Sequence, residues 1–449
     1  MRLTISRFFA SPSLVAATLL GLALVPATAS AQPDNFEAAP IEYSKSTPDN
    51  AIARLQKRLD SGKAALQYED HFGYLRSLLE QLDISQKSQT LVFSKTSLQR
   101  QRISPDAPRS LYFNDDVYIG MCQGGDVLEI SVADPKLGTV FYTLDQLEAA
   151  RPKFVRQIDN CTLCHASSHT QGVPGHTIRS VFTDRQGLPL LAAGSYRIDQ
   201  TSPLEKRWGG WYVTGTHGSQ RHLGNVVYRG TSDPVPTGEP DEGLNLAQLG
   251  DRFDASGFLT PHSDIVALMV LEHQTEAHNL ITRANFGTRQ ALHYEAELNR
   301  ELKEPADKRW DSTTSRIKSV CEPLVRYLLM VEEAPLTAPL VGTSGFAEEF
   351  ATLGPRDKQG RSLRELDLKT RMFRYPLSYL IYSESFAALP QEAQNYVFRR
   401  LHQVLWEEDG NEAIFKHLSS ADREAIREIL LATYKGLPAN WHDQTPSKQ

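Results

Sequence analysis

The spacing of apolar residues along the chain predicts helices and strands in different places. Residues 52–59 carry Ile and Leu at the three- to four-residue intervals of a helix. Residues 128–132 and 140–144 instead place apolar side chains at alternate positions, and the segment Asp134-Pro135-Lys136-Leu137-Gly138 between them has the composition of a turn. The sequence therefore predicts a helix near the start and a β-hairpin over 128–144.

From residue 263 onward the pattern is mostly helical, with Ser263 available as an N-cap and Pro323 expected to kink or split one helix. The fold class predicted is α+β, mainly α. A region of short strands and loops, residues 32–260, is expected to bear the functional motif, and a helical region, residues 261–449, is expected to follow it. The helices predicted here cover residues 263–285, 287–302, 312–332, 362–386, 390–407 and 420–434.

The first 31 residues have the composition of a secretory signal peptide. Arg2 and Arg7 precede an apolar run at 14–25, and Ala29-Ser30-Ala31 supplies the small residues that a signal peptidase recognises. The run is too short for an ordinary membrane span, and no later stretch approaches 20 apolar residues. We expect a cleaved leader, with an uncleaved anchor as the alternative, and a periplasmic protein that has no stable membrane span after cleavage.

The most specific motif is Cys161-Thr162-Leu163-Cys164-His165, which occurs once in the 449 residues. In an exported protein, CxxCH is typical of covalent haem attachment. Two thiols on one helical turn can each add to a vinyl group of one porphyrin, and the adjacent imidazole can reach the iron. A zinc site or a redox-active cysteine pair is the alternative, but zinc requires two more ligands and no second CxxC is present. The motif therefore predicts one covalently bound haem c.

At these five residues the chain resembles c-type cytochromes. The resemblance implies that Cys161 and Cys164 are the thioether anchors and that His165 is the proximal iron ligand. It also implies attachment on the far side of the bacterial inner membrane, in agreement with the leader. Di-haem cytochrome c peroxidases are a nearby family, but they carry two CxxCH motifs and this chain has one. Their relay of electrons between two haems is therefore not available within a single subunit.

The sixth coordination position of the iron decides between electron transfer and catalysis. A second protein ligand gives an electron-transferring centre, whereas an open position admits a small molecule such as peroxide. Residues 208–225 are rich in Gly, Trp and His, which suit close packing against a flat cofactor. We expect His222 to be the sixth iron ligand, and His176, His217, His273 and His278 are alternatives. An aromatic core with a turn would have the same composition.

A second polar group occupies residues 272–279 of a predicted helix. His273, Glu276 and His278 could act on a ligand bound to the iron, or the group could hold a second metal. A polar helix face that is solvated or hydrogen-bonded internally is the alternative.

Three segments resemble secreted bacterial cytochrome c-like proteins of an uncharacterised group, and this resemblance implies no established activity. The segments are residues 113–116, 208–215 and 271–275.

Charge and cysteine content restrict the partners. The net charge is −6, and it becomes −8 without the leader, because the leader contains two arginines and no acidic residue. This mild acidity argues against nucleic-acid binding. Apart from the motif, the chain contains Cys122 and Cys321, which form either a disulfide in the exported protein or two free thiols.

The function predicted from the sequence is electron transfer through one covalently bound haem. The partner would be a redox protein or a small-molecule electron donor or acceptor. The alternative is a haem enzyme, peroxidase-like or another small-molecule oxidoreductase, with an open sixth iron position. About 418 mature residues are several times what a simple carrier needs to enclose one haem, which favours the alternative. A haem-based sensor would carry the same motif.

Overall fold

The computed structural model describes residues 36–228, 243–406 and 413–442. The predicted leader therefore lies outside the described residues, which all belong to one compact unit. The division into regions at residue 260 stays a prediction. The strands are β1 (Thr90–Val92), β2 (Arg109–Phe113), β3 (Val117–Met121), β4 (Val127–Asp134), β5 (Gly138–Asp145), β6 (Phe154–Gln157), β7 (Arg179–Val181), β8 (Ser195–Arg197) and β9 (Trp211–Tyr212). The helices are α1 (Ala51–Asp60), α2 (Leu75–Gln81), α3 (Asp159–His165), α4 (Ile265–Glu301), α5 (Asp311–Leu328), α6 (Phe346–Thr352), α7 (Glu384–Ala387), α8 (Gln391–Leu405) and α9 (Ser420–Thr433).

Seven of these strands form one antiparallel sheet in the order β6-β5-β4-β3-β2-β1-β9. The longest pair is β4 and β5, which are joined where Asp134 pairs with Gly138. The hairpin predicted at 128–144 is confirmed. At the other edge, β9 pairs with β1, although about 120 residues separate them in the chain. The remaining strands, β7 and β8, form a separate two-stranded hairpin.

The prediction of a mainly α fold with only short strands is wrong. Successive hairpins from β2 to β6 join edge to edge, because an unpaired strand edge leaves backbone N–H and C=O groups without partners. The alternation of apolar residues predicts single strands, but it does not show that they continue into one sheet. The helix expected at 362–386 is also wrong, since this segment contains only a short 3-10 turn, Tyr379–Tyr382, and α7.

The two faces of the sheet have different neighbours. Leu128, Ile130 and Val132 of β4 pack with apolar residues of α1 and α2 in one hydrophobic core. Because side chains alternate along a strand, Ser131 and its partner Phe141 on β5 point to the opposite face. On that face the Phe141 ring lies 5.0 Å from the His165 ring at the end of α3. The sheet therefore separates an apolar core from the side that carries the CxxCH motif.

Helix α4 is the longest described helix, and its first half is enclosed by the rest of the fold. Its N-cap is Asp264, whose carboxylate accepts hydrogen bonds from the amides of Val266 and Ala267. Every residue from 265 to 282 is buried. Most of its apolar residues contribute to the main core, whereas Phe286 packs in the core beneath the sheet. Helix α4 therefore connects both cores.

Within the described ranges, no helix combines the length and the apolar character that crossing a bilayer requires. This agrees with the expectation of no membrane span among these residues.

Phe286 tests the role of α4 as the connection between the two cores. Phe286→Ala should lower the free energy of unfolding by about 3–5 kcal/mol, because a fully buried ring is replaced by a cavity. Tyr294→Ala is the control on the same helix. Its ring is half exposed and lies beneath the Arg316 guanidinium, so we expect a loss below about 1 kcal/mol. Urea unfolding measures both, and equal losses would contradict this account of α4.

Candidate functional site

The CxxCH motif forms α3, a two-turn helix that follows the edge strand β6 directly. Cys161 is half-buried and Cys164 is exposed, and both thiols are free. Burial raises the pKa of Cys161 to about 11, and the nearby Glu129 carboxylate acts in the same direction. Cys122 and Cys321 are also free and buried, so they form no disulfide in the structure. The two thiols of the motif are reduced and lie on one helical turn.

His165 is tied to Gly175 by two hydrogen bonds. The imidazole Nδ1–H donates to the Gly175 carbonyl at 3.0 Å, and the Gly175 amide donates to the His165 carbonyl at 2.8 Å. The proton is therefore on Nδ1, and Nε2 carries a lone pair. No residue in the described parts of the chain hydrogen-bonds to Nε2. Burial lowers the pKa of His165, so the ring is neutral at pH 7. This is the tautomer in which Nε2 can bind a metal.

The loop between α3 and β7 holds the Gly175 carbonyl in place. Inside the loop, the Thr170 hydroxyl donates to the Val173 carbonyl at 2.8 Å. From the sheet, the Thr139 amide donates to the Pro174 carbonyl at 3.0 Å. From α4, the Asn279 side chain bonds to both backbone groups of His176. The carbonyl that orients His165 is therefore fixed by two other elements of the fold.

The residues present fit a haem c. Two reduced thiols on one turn and a neutral imidazole with an available Nε2 are the three protein groups that such a haem requires. The porphyrin supplies four nitrogens to the iron, so one protein nitrogen is sufficient on the proximal side. Among the described residues, no group of three or more His, Cys, Asp or Glu side chains could hold a metal ion. In the described parts of the chain, a zinc site at the motif therefore lacks the further ligands that it needs.

His222 lies in a different environment. Its ring is buried against Trp208, with ring centroids 5.4 Å apart, and against His217, with centroids 4.7 Å apart. The Gly224 amide donates to Nδ1 at 3.0 Å, so in the neutral ring the proton is on Nε2. This tautomer is opposite to that of His165 and leaves no lone pair on Nε2. The contacts of His222 in the described residues do not include α3.

The polar residues of 272–279 do not converge on one site. Glu272 forms a buried ion pair with Arg207. Both ring nitrogens of His273 are hydrogen-bonded, Nδ1 to Gln200 at 2.5 Å and Nε2 to the Ser378 hydroxyl at 2.8 Å. These groups hydrogen-bond to different parts of the fold, which is the arrangement expected of an internal scaffold.

Glu276 and His278, two further polar residues of this stretch, have their own partners. Glu276 pairs with Arg197 at 3.6 Å and also accepts from Gln171. His278 donates through Nε2 to the backbone carbonyl of Asp115 at 2.7 Å. The contacts of Glu276 lie beside the loop that follows α3, whereas those of His278 lie at the turn between β2 and β3.

Three residues of the site were not identified from the sequence. Gly175 accepts the hydrogen bond from His165, Phe141 packs against its ring, and Asn279 holds the loop. The sequence signal for Gly175 is weak, since Pro174-Gly175 indicates only a turn. Asn279 lies in the polar group at 272–279, but nothing in the sequence indicates that it bonds to the loop after the motif, because that contact arises only in the folded chain.

Comparisons with known proteins assign the chain to no family. No protein-family model matches it, no curated protein is similar to it, and no solved structure matches its fold. What the site can do therefore follows from its own geometry and chemistry.

The buried position of His222 predicts a loss of stability in acid. Burial, reinforced by His217, lowers the pKa of His222 to about 3, while the unfolded chain titrates near the ordinary value of 6.5. Between these values the unfolded state binds more protons. The contribution of His222 is therefore complete above pH 6.5 and decreases as the pH falls towards 3.

The measurement is the free energy of unfolding between pH 7 and pH 4. His222→Asn preserves an acceptor for the Gly224 amide and removes the titration, so its pH slope should be smaller by up to about 1.4 kcal/mol per pH unit. His169→Asn, at an exposed position, should retain the wild-type slope. Identical slopes for His222→Asn and wild type would contradict the prediction.

Proposed function

We propose that the chain is a c-type haem protein that transfers electrons through one covalently bound haem. Cys161 and Cys164 form the thioether bonds, and His165 binds the iron. A bound haem supplies the exchange of one electron at its iron. The observation that carries the proposal is the hydrogen bond from His165 Nδ1–H to the Gly175 carbonyl. In a CxxCH helix with two reduced thiols, this bond selects the imidazole tautomer that can bind iron.

The residues around the motif hold and orient these groups. The Gly175 carbonyl makes the imidazole more basic, because an Nδ1–H that donates to a carbonyl increases the electron density at Nε2. The Phe141 ring restricts rotation of the imidazole from the side of the sheet. Because His165 is half-buried, water is excluded from part of the ring. The hydrogen bond and the packing against Phe141 favour a stable proximal ligand, and the hydrogen bond also lowers the reduction potential.

The cellular context proposed is the periplasm. It is supported by the leader-like composition of residues 1–31, and haem attachment to CxxCH fits an exported protein. The proposed partner is a redox protein or a small-molecule electron donor or acceptor. Nucleic acid is not expected, since the net charge is negative.

A second candidate is a haem enzyme with an open sixth iron position, peroxidase-like or another small-molecule oxidoreductase. The observation in its favour is the hydrogen bonding of His222, whose Nε2 carries the proton and whose ring packs against Trp208 and His217. Binding iron would require His222 to change tautomer and to break its bond with the Gly224 amide. A centre without this ligand would admit a small molecule.

Removal of the two motif thiols tests covalent attachment. Cys161→Ser/Cys164→Ser, expressed with a haem-attachment system, should yield protein that retains no haem after denaturing electrophoresis, because no thioether can form. Cys122→Ala/Cys321→Ala is the matched control. It removes the other two thiols, both buried, and should retain the haem of the wild type. Covalent haem in the first double variant would overturn the proposal.

The ferric optical and electron paramagnetic resonance spectra distinguish the two candidates. A transfer centre with His222 as sixth ligand should be low-spin and unreactive towards hydrogen peroxide, and His222→Ala should convert it to high-spin. An open centre should be high-spin or peroxide-reactive, and His222→Ala should leave it unchanged. His165→Ala should lose proximal ligation in both cases, and an unaltered spectrum would exclude His165 as the ligand.

A further inference from the structure

We infer that Asn279 of α4 is a positioning residue for His165, and that it acts through the backbone of Gly175 and His176. The inference rests on the proposed function, because it concerns the residue proposed to bind the iron. Asn279 touches neither the thiols nor the imidazole in its described contacts, so its role is indirect.

The amide of Asn279 bonds to both backbone groups of one residue in the loop. Its Oδ1 accepts from the His176 amide at 2.8 Å, and its Nδ2 donates to the His176 carbonyl at 2.8 Å. A third bond, from Nδ2 to Glu276 Oε2 at 3.1 Å, orients the amide from within α4. Asn279 is 1% exposed, so water does not compete for these bonds. The loop is therefore fixed to the most enclosed part of α4.

Contact between Asn279 and the loop is too close for a side chain at residue 175. A Cβ added to Gly175 would lie 2.2 Å from Asn279 Oδ1 and 3.1 Å from the Thr170 Cβ. Glycine is therefore required at 175 by close approach, not by an unusual backbone angle. The residue whose carbonyl orients His165 and the amide that fixes its neighbour are packed directly against each other.

These contacts form a continuous path from α4 to the imidazole. Asn279 fixes the peptide groups of His176, and the preceding carbonyl, that of Gly175, is thereby held towards His165 Nδ1. The reciprocal bond from the Gly175 amide to the His165 carbonyl prevents α3 from moving relative to the loop. We call the two bonds between Asn279 and the His176 backbone the clamp. When the clamp is lost, the hydrogen bond from His165 Nδ1–H weakens and Nε2 becomes less basic. The ferric state is then less stabilised, so the reduction potential rises.

Asn285 offers a matched control for loss of a buried amide. It lies on the same helix, is 3% exposed, and donates through Nδ2 to the carbonyls of Pro135 and Ala388. Asn285→Leu therefore has a structural cost similar to that of Asn279→Leu, but Asn285 has no described bond to the loop. A purely structural role of Asn279 predicts that both variants behave alike.

The experiment measures the midpoint potential of the haem-loaded protein by optical titration. Asn279→Leu should raise the midpoint potential by about 59 mV, which corresponds to a tenfold shift of the one-electron equilibrium from ferric towards ferrous protein. Asn285→Leu should keep the wild-type potential. Gly175→Ala disrupts the same contact from the side of the loop and should also raise the midpoint potential. The double variant Asn279→Leu/Gly175→Ala should show a shift smaller than the sum of the two single shifts. A wild-type potential in Asn279→Leu, or equal shifts in the two asparagine variants, would overturn the inference.

The haem-free protein supplies a separate readout. Nitrogen-15 chemical shifts of the histidine rings should show the His165 proton on Nδ1 in the wild type and in Asn285→Leu. In Asn279→Leu they should show a mixture of the two tautomers. The variant His165→Gln identifies the His165 signals. An unchanged tautomer in Asn279→Leu would overturn the clamp. If the wild type binds no haem but these shifts behave as expected, the proposed function fails and the clamp on His165 stands.

Discussion

The burial of a polar stretch inside the fold constrains the rest of the structure. From 265 to 282 every side chain of α4 is enclosed, including the carboxyl, imidazole and amide groups of residues 272–279. An unsatisfied polar group in such a place costs about 1–3 kcal/mol, so partners supplied by other elements stabilise this stretch. His273 therefore bonds to Gln200 and Ser378, and Asn279 bonds to the loop after α3. The requirement to satisfy these groups determines which loops contact α4.

The residues of the CxxCH motif and the residues that hold the neighbouring loop lie on different elements of the fold. The thiols and His165 lie on a short helix at the edge of the sheet, where Cys164 is exposed to solvent. The groups that hold the loop beside His165 lie on the sheet and on the buried half of α4. A two-turn helix has little stability of its own, since nucleation of a helix is costly. Its geometry depends on the bonds between His165 and Gly175, and these depend on the loop that α4 holds.

Sequence patterns predicted local features better than long-range ones. The β4–β5 hairpin was predicted because apolar alternation and a turn are adjacent in the chain. The extent of the sheet was missed, since β9 joins β1 through backbone bonds that leave no mark in side-chain pattern. CxxCH can be identified from the sequence because its two cysteines and its histidine all lie within five consecutive residues. The environments of His222 and Asn279 depend on contacts between distant segments, and their residue types alone do not specify them.

The most direct test of the central claim is mass analysis of the purified protein after trypsin digestion. No lysine or arginine lies between Arg156 and Arg179, so both motif cysteines fall in one peptide, residues 157–179. Covalent attachment through Cys161 and Cys164 predicts that this peptide carries the added mass of one haem, and that neither thiol reacts with an alkylating reagent. A peptide that lacks the mass of haem and has both thiols alkylated, from protein made with a working haem-attachment system, would contradict the account.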